Sequence, residues 1–145
     1  MKTKGIILML MYVFCTAILT ITTIPTVPAI MEPEGANAEL WVARYNGPGN
    51  GCDRAYALAV DGSENVYVTG YSYGSVTNLD YATVKYDSEG NELWAARYNG
   101  PGNGHDRAFA LAVDGSGNVY VTGYSVGSGT STDYATVKYD SEGNE

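Results

Sequence analysis

The sequence predicts an all-β protein made of four-stranded antiparallel meanders that stack face to face. Three observations predict it. Residues 41–92 align without a gap with residues 94–145 at an offset of 53, and only positions 42, 52, 56, 64, 73, 76, 78 and 79 differ from their copies. Within each copy, short runs of strand-forming residues alternate with turns rich in Asp, Asn and Gly. No run after residue 38 carries the apolar period of a helix. A repeat of this length marks architectures in which a unit buries its apolar face only against a neighbour. The repeat units are 41–93 and 94–145.

Each element follows from its residues. The first strand spans 55–61, with Ala55, Ala57 and Ala59 on one face and Tyr56, Leu58 and Val60 on the other. Asp61, Gly62 and Asn65 then make a hairpin turn, because Asp and Asn bond back to their own backbone and Gly accepts positive φ. A second strand over 66–72 places Val66, Val68 and Gly70 on one face, and Tyr67, Thr69 and Tyr71 on the other. The polar loop 73–80 holds the differences at 73, 76, 78 and 79, so the copies diverge in a connection rather than in the strands. The third strand is 81–87, residues 88–91 turn the chain, and the fourth strand is 92–98. A Gly-rich loop, 99–104, leads into the next copy.

Connections this short force neighbouring strands to run antiparallel. Both faces of each sheet carry apolar residues, so each sheet must be covered on both sides. A radial stack of four-stranded meanders is a β-propeller, and the chain holds about two of its blades, a partial propeller. A β-sandwich fits two near-identical sheets at this spacing less well. By this reading one full blade spans 55–98, three strands of a second span 108–140, and an isolated outer strand lies at 39–45.

The formal net charge is −8, and residues 39–145 carry it all (6 basic, 14 acidic; 6 − 14 = −8). An acidic chain without a basic stripe points away from nucleic acid and anionic membranes as partners. Residues 1–38 read as a leader: Lys2 and Lys4 precede an apolar run that meets no charge until Glu32. That is the pattern of an export signal, with cleavage expected after Ala29 or Ala38. The competing reading is an uncleaved N-terminal membrane anchor, since the apolar run just suffices to span a bilayer. Both place the repeats outside the cytoplasm, secreted or at the cell surface. With Cys15 in the leader, Cys52 has no partner in the repeats, where His105 is its copy, so no disulfide framework is expected.

The strings DRAYALAVDGSENVYVTGYS and DYATVKYDSEGNELWAARY resemble the SBBP-type β-propeller repeat of exported bacterial and archaeal surface proteins, S-layer-like glycoproteins among them. The resemblance covers everything after the leader. It implies that the ALAVD strand is innermost and the Trp strand outermost in each blade. It brings no catalytic residues. Propellers close with about four to eight blades, and the sequence stops at Glu145, where Leu-Trp would follow in the repeat. Two expectations stand side by side: a piece of a longer protein, or several copies of this chain joined in one ring, with 39–45 finishing a neighbour's three-stranded blade.

Candidate sites are few. Trp41 and Trp94 could stack on sugars but recur at one strand position, as packing residues do. Tyr71, Tyr73 and Tyr124, at strand ends, are the better sugar-contact candidates. Asp61, Asn65, Asp114 and Asn118 offer the hard oxygens that calcium prefers, although turn chemistry alone accounts for them. Asp53 and Asp106, beside the Gly-rich loops, suit hydrogen bonds to loop amides more than a ligand. No nucleophile with a base, Cys/His metal spacing or phosphate loop is visible, and no Asn-x-Ser/Thr acceptor occurs. The expectation is a non-catalytic module with other proteins or surface glycans as partners. Its alternatives are a lectin-like ring of several chains and the N-terminal part of a larger surface enzyme.

Overall fold

The computed structural model describes residues 39–145. The leader, its cleavage sites and Cys15 lie outside the described residues. Strands β1 (Arg54–Val60), β2 (Val66–Tyr73), β3 (Leu79–Tyr86) and β4 (Glu92–Tyr98) form one sheet in the order β1-β2-β3-β4. Strands β5 (Arg107–Val113), β6 (Val119–Val126) and β7 (Thr132–Tyr139) form a second sheet in the order β5-β6-β7. Every neighbouring pair is antiparallel. No helix occurs among the described residues. These are the partial propeller blades that the repeat predicts: both carry the ALAVD strand at one edge, and the first carries the Trp strand β4 at the other.

The turns form as their residues dictate. In the turn after β1, the Ser63 and Asn65 N–H groups donate to Asp61 Oδ1 (2.8 and 3.0 Å), and the Asp61 N–H donates to the Asn65 carbonyl (3.1 Å). The same closure recurs at Asp87, Asp114 and Asp140. Its fourth residue sits at positive φ: 85° at Gly90, 79° at Gly117, 86° at Gly143 and 65° at Glu64. Of these four residues only Glu64 carries a side chain into that strained region.

Three details differ from the sequence expectation. First, β3 starts at Leu79 rather than Tyr81, because Leu79 and Asp80 pair with Tyr73 and Ser72, which shortens the loop. Arg97 Nη2 holds Asp80 Oδ2 there at 2.8 Å and also donates to the Ser72 carbonyl at 3.0 Å. Second, a bulge between Ala55 and Ala57 breaks the alternation of β1. Ala55 faces Gly70 while Ala57 faces Thr69, so Ala55 shares the face of Val66 and Val68. The bulge brings the Arg54 carbonyl against Gly70, where any Cβ would collide, and the Arg107 carbonyl against Gly123 likewise. Third, 39–45 forms no ladder: it pairs with none of the described residues.

The segment is nevertheless docked. The Trp41 ring lies 6.2 Å from that of Tyr86 and covers Gly90. Trp94 of β4 repeats this relation one blade on, 6.2 Å from Tyr139 and over Gly143, with its Nε1 donating to the Ser141 carbonyl at 3.0 Å. Residues 39–45 thus stand on the first blade as β4 stands on the second.

The core lies between the two blades. Tyr67 and Tyr81 on the first meet Ala108, Val119, Val121, Val137 and Tyr139 on the second, all of them buried. The Tyr81 hydroxyl donates to the Ala135 carbonyl at 3.2 Å, and Lys85 Nζ to the Ser141 carbonyl at 3.3 Å. Full burial of each of the three valines contributes about 1.5–3 kcal/mol. The inner strands β1 and β5 touch through Tyr56 and Phe109, whose rings are 5.1 Å apart.

Candidate functional site

The aromatic candidates are held in different ways. Tyr71 is 7 % exposed, with the Tyr56 ring 5.8 Å away and the Arg107 guanidinium 4.9 Å over its face. The ring is therefore buried against protein. Tyr124, its copy, is half-buried and meets Phe109 at 5.6 Å. Tyr73 is 37 % exposed and lies against the Gly-rich run 46–51, the copy of 99–104: a Cβ on Gly51 would strike its ring, and one on Gly49 its Cβ and carbonyl. Trp41 and Trp94 pack across the blade boundary, which explains their fixed position in the repeat.

The turn carboxylates spend their lone pairs on their own turns. Asp61 Oδ2 accepts from Asn65 Nδ2 and the Tyr67 hydroxyl, each at 2.9 Å, while Oδ1 holds the two turn amides. Asp114 does the same with Asn118 Nδ2 (2.8 Å) and Tyr120 (3.2 Å). Burial disfavours the Asp61 charge, but the Asn65 side chain and amide, the Ser63 amide and the Tyr67 hydroxyl outweigh it and hold the carboxyl at about 2. The Asn118 side chain and amide, with Ser116 and Tyr120, hold Asp114 at about 2. Burial, and then the carboxylate it donates to, push the Tyr67 hydroxyl up to about 12. A calcium ion at Asp61 and Asn65 would displace N–H and O–H donors already in place. No group of three or more His, Cys, Asp or Glu side chains gathers at one point among the described residues.

Asp106 is fully buried and accepts from the Gly100 amide at Oδ2 (2.8 Å) and the Val126 amide at Oδ1 (2.9 Å). It ties the Gly-rich loop to the end of β6. Asp53 accepts only the Gly47 amide, at 3.2 Å, and its Oδ1 has no partner. Cys52 is exposed and free. The Asp80–Arg97 pair escaped sequence reasoning, and its signal was available: both residues recur in the repeat, at the start of β3 and near the end of its partner β4.

One cleft of about 260 Å³ opens on the first blade. It runs between Trp41 and Tyr45 on one side and Leu58, Val68, Val84 and Tyr86 on the other. These blade residues are the copies of Leu111, Val121, Val137 and Tyr139, which in the second blade are covered by the first. The cleft is thus an incompletely covered blade face, apolar for the same reason that its copy is core.

No curated protein matches this sequence. The model of the SBBP beta-propeller repeat matches residues 40–76 and 94–134, and each span opens at a Trp segment, Leu40-Trp41 and Trp94. That frame, the four-stranded meander and the duplicated blade contacts agree: the chain belongs to the SBBP beta-propeller repeat family.

Proposed function

We propose that this propeller module is exported and has a non-catalytic, structural or protein-interaction role at the cell surface. One observation carries the reading. The carboxylates of Asp61, Asp114 and Asp106 are committed to turns and loops, while large apolar faces stay open: Leu40, Leu58, Val60, Tyr120 and Tyr134 are all exposed. Open apolar area rimmed by polar residues suits association with other protein surfaces. Export is supported by the leader sequence. The test is fractionation of cells expressing the chain with a C-terminal tag, followed by N-terminal sequencing of the product. The expected result is an envelope or secreted product, starting at Glu39 if cleavage follows Ala38. A product confined to the cytosol would overturn it.

A second reading, a ring that binds surface glycans, is favoured by Tyr73, whose exposed ring sits where loops gather. A glycan array probed with wild type and Tyr73→Ala tests it. Equal or absent signal from the two proteins rejects it.

A further inference from the structure

Each copy of the Gly-rich loop holds two Asn-Gly pairs: Asn46-Gly47 and Asn50-Gly51 in the first, Asn99-Gly100 and Asn103-Gly104 in the second. An asparagine before glycine is prone to close on itself, because glycine has no side chain to keep its amide nitrogen from the Asn carboxamide. The reaction asks two things of the fold. The carboxamide carbon must be electrophilic, and the following amide must be free to attack it. The two pairs of each loop differ in both respects.

The first pair is protected. The Gly47 N–H donates to Asp53 Oδ2 at 3.2 Å, and the Gly100 N–H donates to Oδ2 of the buried Asp106 at 2.8 Å. Such an amide must give up a charge-assisted bond before it turns on its neighbour. The second pair is primed instead. Asn46 Nδ2 donates to Asn50 Oδ1 at 2.6 Å, and Asn99 Nδ2 donates to Asn103 Oδ1 at 2.5 Å. A donor on that oxygen draws charge from Cγ and stabilises the oxyanion that forms on attack. The turn keeps each couple facing, since the Asn50 N–H donates to the Gly47 carbonyl and the Asn103 N–H to the Gly100 carbonyl, both at 3.0 Å. The Gly51 and Gly104 amides donate to no acceptor among the described residues. Asn50, Gly51 and Asn103 are exposed and Gly104 is half-buried, so water reaches both pairs.

We propose that Asn50 and Asn103 are sites of spontaneous conversion to aspartate and isoaspartate, assisted by Asn46 and Asn99. The Gly51 nitrogen loses its proton to solvent base and bonds to Asn50 Cγ. The Cγ–Nδ2 bond then breaks and ammonia leaves, which closes a succinimide. Water opens the ring in one of two ways. Breaking the bond from the Gly51 nitrogen to Cγ gives aspartate, and breaking its bond to the Asn50 main-chain carbonyl carbon gives isoaspartate. No oxidant or reductant is consumed. Both products add a carboxylate to the loop. Isoaspartate also lengthens the main chain between residues 50 and 53, which draws Asp53 off the Gly47 amide. The chemistry is independent of export and of any partner.

The test is incubation of the full chain at neutral pH, followed by peptide mapping with tandem mass spectrometry that separates aspartate from isoaspartate. Tryptic peptides 45–54 and 98–107 each contain both pairs of one loop, so each peptide carries its own internal comparison. In the folded chain, residues 50 and 103 are expected to convert at least about tenfold faster than 46 and 99. In guanidinium chloride the four sites are expected to react at similar rates. Asn46→Ala should slow conversion at residue 50 by about twofold to tenfold. Asp53→Ala should speed conversion at residue 46, because the Gly47 amide is released. A folded chain in which 50 and 103 react no faster than 46 and 99 overturns the proposal. So does a preference that persists in guanidinium chloride, or a rate at residue 50 that ignores Asn46→Ala.

Discussion

Tyr81 and Tyr134 occupy the same place in the same string, DYATVKY, on the third strand of their blades. Tyr81 is completely buried and its hydroxyl donates across the blade boundary, while Tyr134 stands out in solvent. The surroundings differ although the local sequence does not, because Tyr81 has a second blade against its face and Tyr134 has none within the described chain. The blade is therefore a unit whose faces are identical by sequence and become core or surface only by neighbourhood. Paired substitutions at matching positions put numbers on that difference.

The largest effect is expected from the tyrosines. Tyr81→Ala should cost about 3–5 kcal/mol in urea unfolding at dilute concentration, the range for deleting a large buried aromatic. Tyr134→Ala should stay within about 0.5 kcal/mol under the same conditions. Equal costs would break the comparison, and a cost at Tyr134 that grows with protein concentration would join it to self-association.

The aspartates beside the Gly-rich loops come next. Asp106→Ala leaves two loop amides without an acceptor and should lower stability by about 1–3 kcal/mol. Asp53→Ala removes one long bond and should cost a fraction of that. Chemical denaturation of the two variants side by side measures the ratio.

A smaller, opposite effect is expected in the first hairpin. Glu64 sits at φ 65°, where its copy is Gly117. Glu64→Gly should raise stability by about 0.5–1 kcal/mol, the relief of a left-handed side chain less the added freedom of the unfolded chain. Gly117→Glu should cost a similar amount, read as a shift in urea midpoint.

The smallest difference is expected between Asp61 and Asp114, whose partners are all local. Both carboxyls are held near 2 against an ordinary value of 3.8. A depressed carboxyl contributes stability above its unfolded value, and that stability fades as pH falls through the folded one. The two blades should thus lose this contribution together, between about pH 4 and 2, whatever their neighbours. Carboxyl chemical shifts followed by NMR should titrate with the same low midpoint at both residues. A midpoint near 3.8 at either would show that its turn opens in solution.

The turns were legible in the sequence because Asp, Gly and Asn act within five residues of one another, and a local interaction leaves a local signature. The strands were legible for the same reason, through alternation and short connections. The bulge at Ala55–Ala57 was not, since it depends on how the Arg54 carbonyl meets Gly70 across a ladder. The first residues of β3 were missed because Asp80, a polar residue that reads as loop, is held by Arg97 from another strand. The role of Tyr71 was hidden as well, since the guanidinium that covers its ring comes from the second blade.

Local chemistry was enough to specify a blade: four strands, their turns, the antiparallel order and the 53-residue frame of the copy. Tertiary structure alone decided which copy of each face becomes core, that 39–45 docks through Trp41 without a ladder, and that Asp106 is satisfied while Asp53 is half-used. The physical reason is the range of the forces involved. Backbone alternation and turn hydrogen bonds act between near neighbours in the chain. Burial depends on what lies about 10 Å across the sheet face, which two identical strings cannot report differently.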